Sequence, residues 1–299
     1  MSIVDDSTGQ PIVAMDQVSA QRILEKSTGH PHEGRIYDYL LGGSSNFAVD
    51  RAFARQQIKQ YPAMSWVAQQ NRHCLGRFVR YMLHHGIRQF VDIGSGLPTQ
   101  GNVHQIADQV APGESHVVYI DHDPVAAAHA YLLLEKSGRS DRHFAIQADL
   151  LDYERLWDAV LECGRIDPTR PVGLLLLAVL HFVPDDGPRT PSDAVAFLRD
   201  EAMPGSYLAL SHGTYDGMTA EERARLSVVQ DNYDNKSTAR TRERGHDEIL
   251  TYFGDWELVE PGLVWTSQWN PEGLEQEHID GDLPPEQSRL LAGAARKPR

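Results

Sequence analysis

The strongest constraint in this sequence is a short apolar run that breaks at two glycines and continues into a helical pattern. Residues 90–93 have the apolar character of a buried strand, and Gly94-Ser95-Gly96 follows directly. Apolar residues then recur with helical spacing over residues 103–110, which completes a strand–turn–helix unit. Glycines let a backbone approach a ligand closely, and a helix N-terminus offers free N–H groups. We therefore expect residues 94–96 to contact a ligand with their backbone.

The next two predicted strands each end in an aspartate. Asp121 lies 25 residues after Gly96, and a carboxylate at that spacing can accept both hydroxyls of a ribose. His122 follows it and could line the edge of an adenosine. The next strand ends at Asp149, which could accept an adenine amino group, and Leu150 offers a backbone N–H and an apolar face. Any one aspartate could instead cap a helix, but three consecutive strands that end this way favour a nucleoside site.

Two classes of ligand compete for this turn. A dinucleotide fingerprint needs a third glycine at position 99, where Thr99 stands, so a nicotinamide-dependent oxidoreductase is the weaker interpretation. A methyl donor has no pyrophosphate to hold and tolerates other residues after Gly96. Asp92, two residues before Gly94, also fits the acidic-x-Gly-x-Gly pattern of methyltransferases. The turn and its aspartates therefore favour a methyl donor.

Composition limits the partners of the chain. A chain of 299 residues, 41% of them hydrophobic, can bury the core of one catalytic domain with additions. The formal net charge of −14 repels phosphate backbones, so we expect no nucleic acid as a partner. His30 and His32 have no identifiable third ligand, and we predict no metal site.

The sequence also bears on location. No apolar stretch reaches membrane-spanning length, and residues 1–10 lack the basic and apolar regions of a signal peptide. We therefore expect a cytoplasmic protein without membrane contact. The oligomeric state is left open, with a homodimer as one possibility.

Strands and helices alternate after residue 88, which predicts an α/β fold with a mostly parallel sheet and helices on both faces. Residues 256–259 and 263–269 read as two strands joined by a turn at 260–262, which would make the last pair antiparallel. We expect seven strands in a Rossmann-like arrangement.

Residues 34–55 form an unusual segment in which a glycine pair, Gly42-Gly43, is surrounded by aromatic residues. Such a pair is costly to fold unless the backbone must fit something closely. We interpret the segment as a lid over the ligand, with Tyr37 and Gly43 in contact with it. The alternative is a helical hairpin that only covers the sheet.

Two histidines at strand ends are candidates for a catalytic base. His181 follows the fourth predicted strand and His212 ends the fifth, beside the expected position of a transferable methyl group. A base is needed only if the acceptor is protonated. A structural role for either histidine is at least as frequent.

Several motifs together resemble the actinobacterial S-adenosylmethionine-dependent methyltransferase family long labelled as a domain of unknown function. They lie at residues 35–51, 90–99, 119–124, 148–152 and 180–185. The resemblance runs from about residue 18 to about residue 270 and implies a class I methyltransferase fold. With the sequence pattern, we expect a tail and helical lid over residues 1–65, the methyltransferase domain over 66–270 and a polar tail over 271–299. The resemblance also implies S-adenosylmethionine held by the glycine turn, Asp121 and Asp149, but it supplies no acceptor, and a small-molecule acceptor is our own expectation. A non-catalytic protein that binds the donor and regulates is the main alternative.

Overall fold

The computed structural model of the chain describes residues 15–98, 101–183, 185–224, 241–270 and 283–299. Its centre is an eight-stranded sheet with the order β3-β2-β1-β4-β5-β8-β6, and β7 pairs with β8 outside this path. The strands are β1 Gln89–Ile93, β2 His116–Asp121, β3 His143–Gln147, β4 Gly173–Leu177, β5 Tyr207–Gly213, β6 Glu257–Leu258, β7 Val264–Trp265 and β8 Leu290–Arg296.

The first five strands run parallel to their neighbours. Their nearly continuous apolar runs suit strands that are covered on both faces, and every residue of β1 is buried. The order of the strands reverses between β1 and β4, which opens a crevice at their carboxyl ends. The predicted Rossmann-like α/β fold is confirmed, with eight strands where we expected seven.

Helices cover both faces of this sheet. They are α1 Gln17–Lys26, α2 Glu33–Leu40, α3 Ala48–Gln60, α4 Met64–His84, α5 Val103–Val110, α6 Pro124–Ser137, α7 Tyr153–Glu162, α8 Pro191–Glu201 and α9 His246–Leu250. Apolar side chains of α4, α5 and α6 pack on one face, and those of α7, α8 and α9 pack on the other. Within the described part of the chain, no helix is long and apolar enough to span a membrane.

The antiparallel part of the sheet around β8 differs from the prediction. β6 and β7 do not pair with each other; each pairs antiparallel with β8, which pairs antiparallel with β5. The expected antiparallel strand therefore comes from residues 290–296, inside the segment predicted as a polar tail. Small residues let this strand fit, since a Cβ on Gly293 would lie 3.1 Å from Cζ of Phe253. The tail prediction is wrong there, and residues 271–282 lie outside the described residues.

Helices α2 and α3 form an N-terminal hairpin, residues 33–60, that packs on α4 through Ile36 and Phe53. Arg35 Nε donates to Asp50 Oδ2 at 2.7 Å, and both side chains are fully buried. The same guanidinium donates to the carbonyl oxygens of Ser27 and His30. A buried ion pair is tolerated only when such additional hydrogen bonds satisfy it, so this pair fixes the two helices relative to each other.

Candidate active site

A cavity of about 370 Å³ lies at the carboxyl ends of β1, β4 and β5, opposite α2 and the first half of α4. Its β1 end is lined by Tyr37, Arg72, Asp92, residues 94–96 and Asp121, and its β5 end by Tyr61, His181, Thr214, Thr241 and Arg289. Because β4 lies between β1 and β5, the two ends are roughly 10 Å apart.

The glycine turn, residues 94–96, is held by the neighbouring strand. Gly94 and Ser95 donate backbone hydrogen bonds to the carbonyl of Ile120, at 2.8 and 3.1 Å. Gly94 and Gly96 have φ values of 69° and 62°, a conformation that favours glycine. A Cβ on Gly94 would lie 2.3 Å from Val179, whereas one on Gly96 would meet nothing within 4 Å. All three residues line the cavity, so this backbone faces the space for a ligand.

Asp121 closes the turn and keeps capacity for a ligand. Its Oδ2 accepts from the N–H of Gly96 at 2.8 Å, and its Oδ1 accepts from the N–H of Asp123 at 3.0 Å. A carboxylate accepts about four hydrogen bonds, so roughly two positions remain for hydroxyl groups. Burial raises the pKa of Asp121, and the two backbone hydrogen bonds oppose that rise. His122 also lines the cavity but is largely exposed, with Nδ1 3.5 Å from Asp121 Oδ1.

Asp92 and Arg72 place two opposite charges at the β1 end. Burial raises the pKa of Asp92 to about 7; the charge of Arg72 opposes this rise, and that of Asp121 adds to it. The Arg72 guanidinium lies 5.6 Å from the ring centroid of Tyr37. Its Nε is buried and has no hydrogen-bond partner among the described residues. The β1 end therefore suits a ligand that carries both a positive and a negative group.

The third predicted strand end does not reach the cavity. Asp149 is exposed, and its Oδ1 accepts from the N–H of Leu151 at 2.9 Å, which is a local turn of the kind aspartate favours. Leu150 is buried in the apolar core beside α7. Neither residue is part of the cavity lining. The chain turns locally into α7 here, and adenine contacts of Asp149 and Leu150 stay a prediction that would require this loop to move.

The two residues predicted to contact the ligand from a lid, Tyr37 and Gly43, lie in different places. Tyr37 lines the cavity, and its hydroxyl donates to the carbonyl of Ala68 at 3.1 Å and accepts from Asn71 Nδ2 at 3.2 Å. Gly43 lies outside the cavity, where a Cβ would be 1.9 Å from Oδ1 of Asp38. Tight packing inside the N-terminal hairpin requires this glycine. A ligand contact therefore stays a prediction for both residues, and the structure brings only Tyr37 to the cavity.

His181 lines the cavity but offers a hydrogen-bond donor instead of a base. Its Nδ1 accepts from the N–H of Gly213 at 3.1 Å. Burial lowers its pKa well below the usual value, and the neighbouring His212 and Arg244 add to this shift. The neutral ring therefore carries its proton on Nε2. A general base needs a free lone pair, which this tautomer does not present to the cavity, so a role of His181 as a base stays a prediction that requires the other tautomer.

His212 is fully buried and does not line the cavity. Burial lowers its pKa to about 4, so the ring is neutral near pH 7. Its Nδ1 donates to the carbonyl of Gly213 at 2.7 Å, and its Nε2 accepts from Arg244 Nη1 at 2.9 Å. Arg244 also binds Asp185, with Nη2 2.7 Å from Oδ2. Both ring nitrogens are therefore occupied and His212 holds Arg244 in place, while its role as a base stays a prediction that this arrangement does not support.

Most residues of the β5 end are not among those predicted from the sequence. Tyr61 follows the N-terminal hairpin, Thr241 lies between β5 and α9, and Arg289 directly precedes β8. These residues are far apart in the chain and share no motif, so no spacing could identify them together. One signal was present, because the apolar run at residues 290–295 is typical of a strand and would have placed Arg289 at the sheet.

The strand order and the cavity together define a class of protein. In an open parallel sheet the ligand binds at the switch in strand order, which here lies between β1 and β4. An adenosyl group fits the residues present, because Gly96 leaves open space beside the backbone and Asp121 retains acceptor positions. This is the arrangement of a Rossmann-like class I methyltransferase.

The chain belongs to the S-adenosyl methyltransferase family, whose model matches residues 19–298. It is a methyltransferase, and its cofactor is S-adenosylmethionine, as the sequence predicted. No curated protein matches the chain.

Two solved structures are similar over most of the chain. A candidate methyltransferase from Thermobifida fusca is 35% identical, with a TM-score of 0.78, and covers 91% of this chain and 97% of its own. A DUF574 family protein from Streptomyces avermitilis is 34% identical, also with a TM-score of 0.78, and covers 91% of this chain and 99% of its own. Both come from actinobacteria, in agreement with the resemblance drawn from the motifs.

Proposed function

We propose that this chain methylates a small molecule that binds at the β5 end of the cavity, beside a donor held at the β1 end. The observation that supports this is the continuity of a single cavity from Asp121 to Arg289. Its volume of about 370 Å³ lies within the usual range of small-molecule pockets, roughly 300–1,000 Å³. The negative net charge of the chain argues against nucleic acid as the acceptor.

The β1 end has groups for each part of the donor. Asp121 can accept the two ribose hydroxyls while the backbone of residues 94–96 contacts the adenosyl group. Arg72 is suited to the donor's carboxylate, and Asp92 to its positively charged groups, because charge-assisted hydrogen bonds are strong in a buried site. Tyr37 covers this end from the N-terminal hairpin. His122 remains a candidate for the adenosine edge.

The chemistry asks little of the protein. When bound, the donor supplies a methyl group together with its own leaving group. The chain must hold the acceptor in line and exclude water, and the buried side chains Leu75, Leu97 and Leu290, which line the cavity, suit that task. The Nε2–H of His181 can donate a hydrogen bond to an acceptor oxygen and fix its orientation.

The first test is calorimetric titration of the protein with S-adenosylmethionine, S-adenosylhomocysteine and NAD. We expect both adenosyl ligands to bind with one site per chain and NAD not to bind. Asp121→Ala should lose most of the affinity, and Asp149→Asn, at an exposed strand end, should retain it. Absence of adenosyl binding, or preferential binding of NAD, would contradict the proposal.

The second test is turnover. The protein is incubated with methyl-labelled S-adenosylmethionine and a low-molecular-weight extract of Streptomyces cells, and labelled products are separated by mass. We expect a labelled product with the wild type and, at a donor concentration below saturation, at least about tenfold less with Asp121→Ala. Tight donor binding with no S-adenosylhomocysteine formed from any fraction would favour the non-catalytic regulator instead.

A further inference from the structure

Arg289 is an unusual residue at the β5 end. It lies in the left-handed region with φ of 55°, which is uncommon for a residue other than glycine and concentrates at functional sites. Its carbonyl accepts from the N–H of Thr214 at 3.0 Å, which ties it to the end of β5. Only 7% of its surface is exposed, and it lines the cavity.

The guanidinium of Arg289 is held on two sides and unsatisfied on the third. Nη2 lies 2.7 Å from Oε1 of Glu222, and Nε donates to the hydroxyl of Tyr61 at 3.3 Å. Nη1 is buried and has no hydrogen-bond partner in the described ranges. The hydroxyl of Thr241, in the same lining, is also buried without a partner there. Buried hydrogen-bond donors without partners cost free energy. This end of the cavity is therefore suited to a ligand group that accepts hydrogen bonds.

The charges along the cavity point to the kind of group. Five lining residues are acidic, namely Glu33, Asp92, Asp121, Asp123 and Glu243, and the lining arginines are Arg72 and Arg289. Arg72 acts on Asp92 at the β1 end. Among the lining residues that the structure describes, Arg289 is therefore the cation of the β5 end, roughly two strand spacings away.

We infer that the methyl acceptor carries a carboxylate, which Arg289 binds through Nη1 with help from the hydroxyl of Thr241. Arginine is the preferred partner of carboxylates because its planar fork matches their geometry. Glu222 orients the guanidinium from the far side and is itself partly exposed, so it leaves Nη1 for the acceptor. This inference rests on the proposed function, since it names the class of acceptor for the same site.

The probes are benzoate, benzamide and benzylamine, which share a ring and differ in charge. Their binding is measured by ligand-observed NMR, with and without saturating S-adenosylhomocysteine. We expect benzoate to bind about tenfold or more tightly than benzamide, as a charge-assisted pair should. Arg289→Met should remove that preference, and Arg289→Lys should retain part of it.

Two controls separate a failed fold from a failed inference. Glu222→Gln leaves Arg289 in place and removes the competing charge, so it should keep or increase the preference for benzoate. Arg289→Met should bind S-adenosylhomocysteine within about twofold of the wild type, because that ligand contacts the β1 end.

The outcomes distinguish the inference from the proposed function. Equal binding of benzoate and benzamide, or an unchanged preference in Arg289→Met, would overturn the role of Arg289 even if the donor binds. Preferential binding of benzylamine would also overturn it and would point to Glu243. Failure to bind S-adenosylhomocysteine would overturn the proposed function, while the comparison of probes without it would still test Arg289.

Discussion

The two ends of the cavity are built in different ways. Apart from Tyr37 and Arg72, the β1 end comes from short contiguous segments, residues 92–97 and 121–123, whose internal hydrogen bonds use backbone N–H groups. The β5 end is assembled from side chains on separate segments. There the hydroxyl of Tyr61 donates to the carbonyl of Gln287, 226 residues later in the chain. The fold alone fixes the β1 end, whereas the β5 end depends on how individual side chains pack.

This difference means that donor binding and acceptor binding should respond to different substitutions. Residues at the two ends share few partners and lie roughly 10 Å apart, a distance at which effects usually add. The N-terminal hairpin is the exception, because it supplies Tyr37 to the β1 end and leads directly into Tyr61 at the β5 end. Damage to the hairpin should affect both ends together.

The largest effect is expected for Arg35→Met. Removing one partner of a buried ion pair leaves Asp50 charged and unpaired, which should lower the free energy of unfolding by about 3–5 kcal/mol. Urea denaturation measures the loss, and titrations should show weaker binding of both S-adenosylhomocysteine and benzoate. Arg55→Met, at an exposed site in the same hairpin, should change the free energy of unfolding by less than about 0.5 kcal/mol. An unchanged free energy of unfolding in Arg35→Met would contradict the role of the N-terminal hairpin in supporting both ends of the cavity.

Asp121→Ala should damage the β1 end alone. The lost charge-assisted hydrogen bonds are worth about 1.5–3 kcal/mol, which corresponds to roughly 10- to 100-fold weaker donor binding. Calorimetry with S-adenosylhomocysteine measures this loss, and NMR should show benzoate binding within about twofold of the wild type. Asp121→Asn keeps one acceptor oxygen, so its donor affinity should lie between that of the wild type and that of Asp121→Ala. Equal loss of donor and benzoate binding would mean that the two ends are not independent.

His181→Ala should damage the β5 end alone. Loss of one oriented hydrogen bond is expected to lower kcat/KM about tenfold, or about 1.4 kcal/mol, with donor affinity unchanged. His181→Gln keeps an N–H near the position of Nε2 and should restore part of the activity. Because the pKa of His181 is well below its usual value, the ring stays neutral from pH 6 to 8. A limb of the pH–rate profile that disappears in His181→Gln would show that His181 is a base after all.

Asp92 should make donor binding depend on pH. Its pKa of about 7 means that the ionised fraction rises between pH 6 and pH 8, and only the ionised form attracts the donor's positive charge. We expect donor affinity to increase several-fold over this range, and Asp92→Asn to flatten the increase, as measured by calorimetry at several pH values. A parallel pH dependence in wild type and variant would exclude Asp92 from the donor site.

The same shift has the opposite sign for the free protein. A folded pKa of about 7 lies above the usual value of 3.8, so the unfolded chain ionises first. The contribution of Asp92 to stability is therefore present below pH 4 and is lost as the pH rises through 7. Without donor, Asp92→Asn should be more stable than the wild type at pH 8 in urea denaturation.

Most of the fold could be predicted because periodicity and strand ends are local properties of the sequence. The five parallel strands and the glycine turn were found in this way. β8 was missed because residues 271–299 are polar on average, and its buried alanines carry little apolar surface. The pairing of β6 and β7 with β8 depends on contacts across the sheet, which sequence spacing does not encode.

The site could be predicted only where its residues are close in sequence. The spacing from Gly96 to Asp121 identified a contact that the structure contains, the hydrogen bond between them at 2.8 Å. The position of a residue at a strand end did not determine where its side chain points. His212, for example, is buried against Arg244. Arg289 could be assigned to the cavity only from the structure, in which β8 places it beside Thr214.

The smallest effect is expected for Asp149→Asn, which tests the limit of the strand-end argument. Asp149 ends its strand as Asp121 does, but its carboxylate accepts from the N–H of Leu151 and is exposed. Asparagine can make the same turn. Donor affinity should therefore change by less than about twofold, and the free energy of unfolding by less than about 0.5 kcal/mol. A tenfold loss of donor affinity in calorimetry would mean that the loop after β3 closes over the adenine when the donor binds. Three strand ends, those of β1, β2 and β3, would then contribute to the donor site, whereas only those of β1 and β2 line the β1 end of the cavity.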